Sequence, residues 1–339
     1  MTNILSEISA PISTEMAQFN DIFGEALSHT DGLLNEVLGH IRQRGGKRMR
    51  PLLTLLIAKN IYLNNIGAGV VADTDSPYTA TLHAACSLEL LHTASLVHDD
   101  VVDEADERRG QASVNASYQN RIAVLVGDYI LSTSLYQTSL TQNPLMTKTL
   151  AQLGMTLSAG EVRQQENITT DCFSIPAYYE IISKKTAALF EACCTMGAMS
   201  VGGTEAETTA AREFGHNLGI VFQIRDDIFD YYDKKDIGKP TGNDMREGKL
   251  TLPILHCLNN GAPEDICQMA RRVKGQEASD LDITTLISYA KDNGGIEYAR
   301  EMMDEYYDKA VRYIDDNASD KAVGDALRKY AAYVIGREL

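Results

Sequence analysis

The chain has 339 residues, 44% of them hydrophobic, a formal net charge of −16 and six cysteines without a CxxC pair. It is long and apolar enough for one large domain or two ordinary ones, which excludes disorder as the default. The acid excess excludes a general nucleic-acid binder, which needs a basic footprint to displace counter-ions. The cysteines read as buried, reduced thiols.

In chain order, "MTNILSEISAPI" lacks the basic start and apolar run of a signal peptide. The longest aliphatic run, "PLLTLLIA", is too short to cross a bilayer. The expectation is a cytoplasmic protein with no membrane span. Prolines are absent from 78–143, 145–175, 177–239 and beyond 263, and stretches free of proline suit long helices, whose interior proline would break. Leu88, Leu91, Ser95, Asp99 and Asp103 recur at three- and four-residue steps and so share one helical stripe. Similar spacing predicts helices within 122–140, 149–165, 178–200, 208–232 and 297–334. Loops are expected at 67–78, 141–146, 166–176, 233–249 and 259–265, and no run of alternating strands is found. The reading is one all-α domain, 1–339, of roughly a dozen helices, with 1–25 as an N-terminal extension.

Two acidic clusters stand out: "HDDVVDEADERRG", with Asp99, Asp100 and Asp103, and "RDDIFDYYD", with Asp226, Asp227 and Asp230. Like charges one turn apart on a helix repel. A single copy reads equally well as a solvated surface; two copies ending apolar helices favour a cation. All-oxygen clusters suit magnesium, which binds through a few carboxylates, waters and substrate phosphate oxygens. Cations that could grip a phosphate stand nearby. "GGKRMRP" carries Lys47, Arg48 and Arg50; "ERRG" carries Arg108 and Arg109; Lys184 and Lys185 precede Thr186; and Lys239 and Lys249 flank a Gly-rich loop. "RGGKRM" is no Walker loop, because position 41 is Ile and no Ser or Thr follows Lys47. Two Glu-x-x-His pairs, Glu89/His92 and Glu213/His216, keep a di-iron bundle in view, although such a site would leave six aspartates and the paired arginines unexplained.

Four signatures in order, "GGKRMRP", "LLHTASLVHDDVVDEADERRG", "KKTAALF" and "FQIRDDIFDYYDKKDIGKPTGND", resemble the trans-isoprenyl diphosphate synthases, over about residues 30–255. The spacing of the first motif, with "GDYILSTSLYQ" and "REGKLTLPIL", is similar to the long-chain octaprenyl or solanesyl branch. The resemblance implies an all-α fold around a deep cavity, in a homodimer. It implies about three magnesium ions, bridging Asp99, Asp103 and Asp226, with Asp100, Asp227 and Asp230 in support, to the diphosphate of an allylic primer such as geranyl or farnesyl diphosphate. Arg108, Lys185, Thr186, Gln223, Lys239 and Lys249 match positions that hold that primer. Lys47, Arg50, His92 and Arg109 match those that hold isopentenyl diphosphate. Ala94 and Ser95 match the positions that set chain length, and as small residues they would leave a product tunnel open, with Leu88, Leu91, Leu135 or Tyr136 as candidates for a deeper floor. The implied reaction is ionisation of the primer, attack by the double bond of isopentenyl diphosphate and loss of a proton, repeated to a long chain available for hand-over to a membrane. A short-chain farnesyl or geranylgeranyl diphosphate synthase is the alternative. A terpene cyclase is disfavoured because its second motif differs from "DDIFD". A non-catalytic subunit is disfavoured because no motif residue is missing.

Overall fold

The computed structural model describes residues 4–43, 45–69, 77–108, 110–170, 172–232 and 241–336. Helices run from Ile4–Ser9 to Lys321–Ile335. The one sheet among the described residues is a hairpin of Glu107–Arg108 and Gln111–Ala112, antiparallel, with Glu107 opposite Ala112 and Arg108 opposite Gln111. The all-α expectation holds, and the stretches free of proline become the helices Thr79–Val102, Val114–Ser139, Glu205–Asp230 and Gly295–Asn317. Two loop expectations are corrected. The helix Pro144–Thr169 continues through the first residues of the expected loop 166–176, and the chain turns only before Ser174, whose hydroxyl accepts the Ala177 N–H and starts the helix Ile175–Ile182. Within 233–249, residues 241–249 contain a one-turn helix, Asn243–Arg246, while 233–240, like 70–76 of the loop 67–78, lie outside the described residues.

The chain divides into two compact units. The first comprises Met1–Gly154, Glu191–Glu213 and Tyr313–Tyr330. Its helix Met49–Gly67 is buried on every side from Pro51 to Ala58, as expected of a helix apolar all round. Thr79–Val102 is a second interior helix, buried through most of 81–91. It packs closely on Val114–Ser139: a Cβ at Gly127 would fall 2.2 Å from His98 Nε2, so only glycine lets the imidazole lie there. Ser134 Oγ donates to the Ser87 carbonyl at 2.7 Å across the same pair. The expected N-terminal extension belongs to this unit, with Ile8, Ile12, Phe19 and Phe23 buried.

The second unit comprises Met155–Phe190, Phe214–Arg312 and Ala331–Leu339. Its core is the stripe Ile220, Ile224 and Ile228 on the helix Glu205–Asp230, packed with Tyr178, Ile182, Leu252, Leu255 and Leu286. Ile175–Ile182 leads into a π-helical turn, Ser183–Ala187, which carries Lys184, Lys185 and Thr186. Gly219 faces that turn, and a Cβ there would fall 2.4 Å from the Ala187 Cα. The cysteines are all free, but Cys172, in the turn before Ser174, is exposed and Cys267 half-buried, which corrects the expectation of six buried thiols. Burial pushes the Cys86 and Cys193 thiols up to about 12, so these two are poor nucleophiles at neutral pH.

A reciprocal cap starts the helix Asp280–Asp292. Ser279 Oγ accepts the Asp282 N–H, and Asp282 accepts the Ser279 N–H at 2.9 Å and Arg272 Nε at 3.1 Å. The Arg272 guanidinium, then the Ser279 bonds, hold the Asp282 carboxyl well below the usual carboxylate range. A depressed carboxylate stabilises the fold above its unfolded pKa of about 4, and that stabilisation is lost as pH falls through the lower folded value. Asp282→Ala is therefore expected to cost about 1–2 kcal/mol at pH 7, with the gap to the wild type closing in strong acid. Urea melts of both proteins across pH 2–7 check this, and a pH-independent gap would show that the charge contributes nothing.

Candidate active site

Both acidic clusters stand at the C-terminal end of a helix, where unsatisfied carbonyls already concentrate negative charge. Carboxylates placed there cost stability unless a cation offsets them.

In the first unit, the helix Thr79–Val102 ends one residue short of the expected stripe, and Asp103 is its C-cap, its N–H bonded to the Asp99 carbonyl at 2.8 Å. Asp99 is half-buried and Asp103 exposed. Asp100 is 1% exposed. One of its oxygens accepts Arg108 Nε at 2.5 Å, and the other, Oδ2, is buried without a hydrogen-bond partner. The hairpin after the cluster thus folds Arg108 back onto Asp100. Arg109, assigned to isopentenyl diphosphate, lies outside the described residues.

The glycine-led basic segment reaches the same region of this unit. Arg48 adopts a left-handed backbone (φ 50°), and its guanidinium donates to Glu89 Oε1 at 3.0 Å while lying over the Phe23 ring. Tyr330, fully buried, donates its hydroxyl to the Met49 carbonyl at 3.0 Å. Arg48, Glu89, His92, Asp100 and Arg108 line a cavity of about 60 Å³, so His92 and Arg108, assigned to different substrates, share one wall. Lys47 is exposed and Arg50 half-buried. Ala94 is buried beside Leu91 and Val97 on one stripe, whereas Ser95, half-buried, donates to the His92 carbonyl at 2.9 Å. Leu88 and Leu91 are buried, but Leu135 and Tyr136 are exposed on the helix Val114–Ser139.

In the second unit, the π turn turns Lys185 inward. Its Nζ meets Glu161 Oε2 at 2.5 Å and Gln164 Oε1 at 2.9 Å, while Lys184 pairs with Glu180. Thr186 donates to Gln223 at 2.6 Å, Gln223 donates to Asp227 Oδ1 at 2.8 Å, and Tyr178 donates to Asp227 Oδ2 at 2.6 Å. Lys185, Thr186, Gln223, Asp227, Asp244 and Lys249 line one cavity of about 170 Å³. Asp230 accepts the N–H groups of Asn243 and Asp244, both at 3.1 Å, and so caps the helix Asn243–Arg246. Asp226, Asp227, Asp230, Asp244 and Glu247 line a second cavity, of about 320 Å³. Burial, then the Asp244 charge, raises Asp227 well above the carboxylate range, and burial, then the Asp230 charge, pushes Asp244 up to about 6. Lys239 lies outside the described residues.

Sequence reasoning missed Asp244, Tyr178, Glu161, Gln164 and the Arg48–Glu89 pair. Asp244 stands inside the quoted "GND", whereas nothing in the sequence marks Tyr178. Glu89, named for its di-iron spacing, gives Oε1 to Arg48, while its Oε2 is buried without a hydrogen-bond partner.

No three His, Cys, Asp or Glu side chains among the described residues form a closed cation site. Magnesium does not require one, because it keeps waters and takes phosphate oxygens. The residues fit it: in the second unit five carboxylates share one cavity, where burial and neighbouring carboxylates raise Asp227 and Asp244, and in the first unit, taken by itself, Asp100 keeps one buried oxygen without a hydrogen-bond partner.

Residues 31–290 match the family model described as Polyprenyl synthetase. Heptaprenyl diphosphate synthase component 2 of Geobacillus stearothermophilus is 33% identical, over 96% of this chain and 97% of that one. A geranylgeranyl pyrophosphate synthase of Bacteroides thetaiotaomicron has a crystal structure with a TM-score of 0.82 and 44% identity, over 98% and 99% of the two chains. A polyprenyl synthase of Caulobacter crescentus, crystallised with calcium and isoprenyl diphosphate, has a TM-score of 0.85 and 28% identity, over 99% and 98%. The chain belongs to the polyprenyl synthetase family, whose members are prenyltransferases with an all-α fold. No described helix is long and apolar enough to cross a membrane.

Proposed function

We propose that this enzyme condenses isopentenyl diphosphate with an allylic diphosphate primer, in successive trans additions, to a product of about thirty carbons or more. The observation that carries the reading is the second unit's juxtaposition of a carboxylate cavity with one lined by Lys185 and Lys249, sharing Gln223, Asp227 and Asp244. A diphosphate needs both a cation site and protein cations. Asp99, Asp103 and Asp226 are assigned as magnesium ligands. Bound there, magnesium would neutralise the charge developing on the departing diphosphate. Lys185, Thr186, Gln223, Lys249, Arg108 and Lys239 hold the primer's diphosphate, and Lys47, Arg50, His92 and Arg109 hold isopentenyl diphosphate in line for attack. The proton lost after attack passes to the released diphosphate, so no protein nucleophile is needed. The family match across 31–290 draws on both compact units, which supports one synthase domain. Exposed Leu125, Leu135 and Tyr136 on one helix support a homodimer, and the absence of a spanning helix among the described residues suits the cytoplasm.

The deciding experiment is incubation with labelled isopentenyl diphosphate, magnesium and geranyl or farnesyl diphosphate, followed by chromatography. A ladder to about thirty carbons or longer is expected, and no elongation would overturn the reading. The 44% identity to a geranylgeranyl pyrophosphate synthase favours one second reading, which an end point of about twenty carbons would establish. Within the same assay, Arg109→Ala is expected to weaken isopentenyl diphosphate about thirtyfold, for one lost charge-assisted hydrogen bond of about 2 kcal/mol, and the primer much less. Equal losses for both substrates would show that the two arginines serve a single site.

A further inference from the structure

Arg225, beside the first aspartate of the second cluster, makes bonds in two directions. Its Nη1 donates to the carbonyls of Tyr333 and Val334, at 3.3 and 2.5 Å, and its Nη2 donates to Asp226 Oδ1 at 3.1 Å. The two carbonyls belong to the last turn of the helix Lys321–Ile335, where the Gly336 N–H also reaches the Tyr333 carbonyl, at 3.2 Å, and where the helix dipole favours a cation. The guanidinium lies 5.0 Å from the Phe222 ring centroid and 5.5 Å from that of Phe229, residues three before and four after it on its own helix. Gly336 closes the turn at φ +78°, and a Cβ on it would meet Arg225 Cδ at 3.4 Å and Phe229 Cζ at 3.8 Å. All of these residues belong to the second unit.

We infer that Arg225 is a positioning residue that couples the C-terminal turn, Tyr333–Gly336, to cation binding at Asp226. The physical reason lies in the fork of the guanidinium. Two rings fix its plane and two carbonyls fix one nitrogen, so the other nitrogen can meet Asp226 in only one direction. Asp226 is the most exposed aspartate of its cluster, with 46% of its side chain accessible, and without Arg225 its carboxylate would sample several rotamers in water. Held by one oxygen, it presents a fixed carboxylate to the acidic cavity that it lines with Asp227 and Asp230. Outer partners that orient a metal ligand in this way are worth about ten- to a hundredfold in metal affinity. By linkage, whatever loosens the turn weakens the cation, and whatever binds the cation tightens the turn.

A merely electrostatic neighbour would act with the opposite sign. Removing a positive charge beside a cation site strengthens cation binding, whereas removing a positioning group weakens it. The inference rests on the reading of Asp226 as a magnesium ligand, and Asp226→Ala tests that reading separately. If Asp226→Ala binds magnesium normally, the ligand assignment fails; if it does not, the coupling can be judged on its own.

The experiment is calorimetric titration of magnesium into the full-length protein in the presence of inorganic diphosphate, with hydrogen exchange followed at 333–336. Arg225→Met is expected to weaken magnesium about tenfold and to speed exchange in the turn, and Arg225→Lys, which lacks the fork, to do nearly the same. Gly336→Ala strains the turn at a residue that bears no charge and touches no carboxylate, and it is expected to weaken magnesium several-fold while Arg225 and Asp226 remain. Melting temperatures within a few degrees of the wild type establish that the variants fold. Unchanged or tighter magnesium binding in folded Arg225→Met overturns the inference. So does a Gly336→Ala protein whose turn exchanges fast while its magnesium affinity is intact.

Discussion

Asp226→Ala is expected to lower turnover by about a thousandfold or more at saturating substrates. The three aspartates of its cluster are not equivalent. Asp227 has both oxygens engaged, by Tyr178 and Gln223, and Asp230 caps a helix with its two oxygens. Asp226 is held through one oxygen by Arg225 alone and faces the carboxylate cavity, so it is the member with most to give a cation. Its loss acts on charge that develops as the diphosphate departs, so kcat should fall with the KM values changing little. Asp99→Ala should behave alike in the first cluster. Asp227→Ala should instead lower stability as well as rate, since it leaves the Tyr178 hydroxyl buried without its acceptor. Single-turnover kinetics with excess magnesium, beside thermal melts, separate the cases. Near-normal turnover in both Asp226→Ala and Asp99→Ala would reject the ligand assignment.

Ser95→Phe is expected to shorten the product to about fifteen or twenty carbons while ionisation of the primer survives. One helical turn, about 5.4 Å, separates Ser95 from Asp99, a length on the order of one isoprene unit. Ser95 is half-buried, so a ring at that position displaces less packed protein than at a fully buried one. Ala94 differs. It is 1% exposed and packed beside Leu91 and Val97, so Ala94→Phe must push neighbours aside at a cost of about 1–3 kcal/mol. It should destabilise the chain more than it trims the product. The chromatographic ladder of each variant, read with its melting temperature, checks the pair. A folded Ser95→Phe enzyme with an unchanged ladder would show that this wall does not set the length.

Much of this was legible in the sequence because helices write their period into it. The repeat through Leu88, Leu91, Ser95 and Asp99 gave a real helix, and the paired motifs named every aspartate of both clusters. Where that helix stops was not legible: Asp103 continues the spacing, yet it is the cap, because the chain must turn there to bring the hairpin and Arg108 back to Asp100. Asp282 and Asp244 each look like one more surface acid, and only the folded chain shows Arg272 against the one and burial around the other. Tyr178 carried no signal because its partner, Asp227, is 49 residues away. Period reports on neighbours along a helix, not on partners across a core.

The π turn at Ser183–Ala187 carries a further meaning in terms of insertions and deletions. A π turn is an α-helix that has accepted one extra residue without breaking. Removing one residue from 183–187 would return the segment to α pitch and keep the buried faces of Cys193, Cys194 and Met196 in register, but it would abolish the bulge from which Lys185 reaches Glu161 and Gln164. Adding a further residue would instead rotate all that follows by about 100°. With Gly219 pressed against Ala187, no slack exists on the facing helix to absorb the change. Substitutions along this segment can be graded in effect, and one residue can be lost together with the Lys185 contacts, but none can be added.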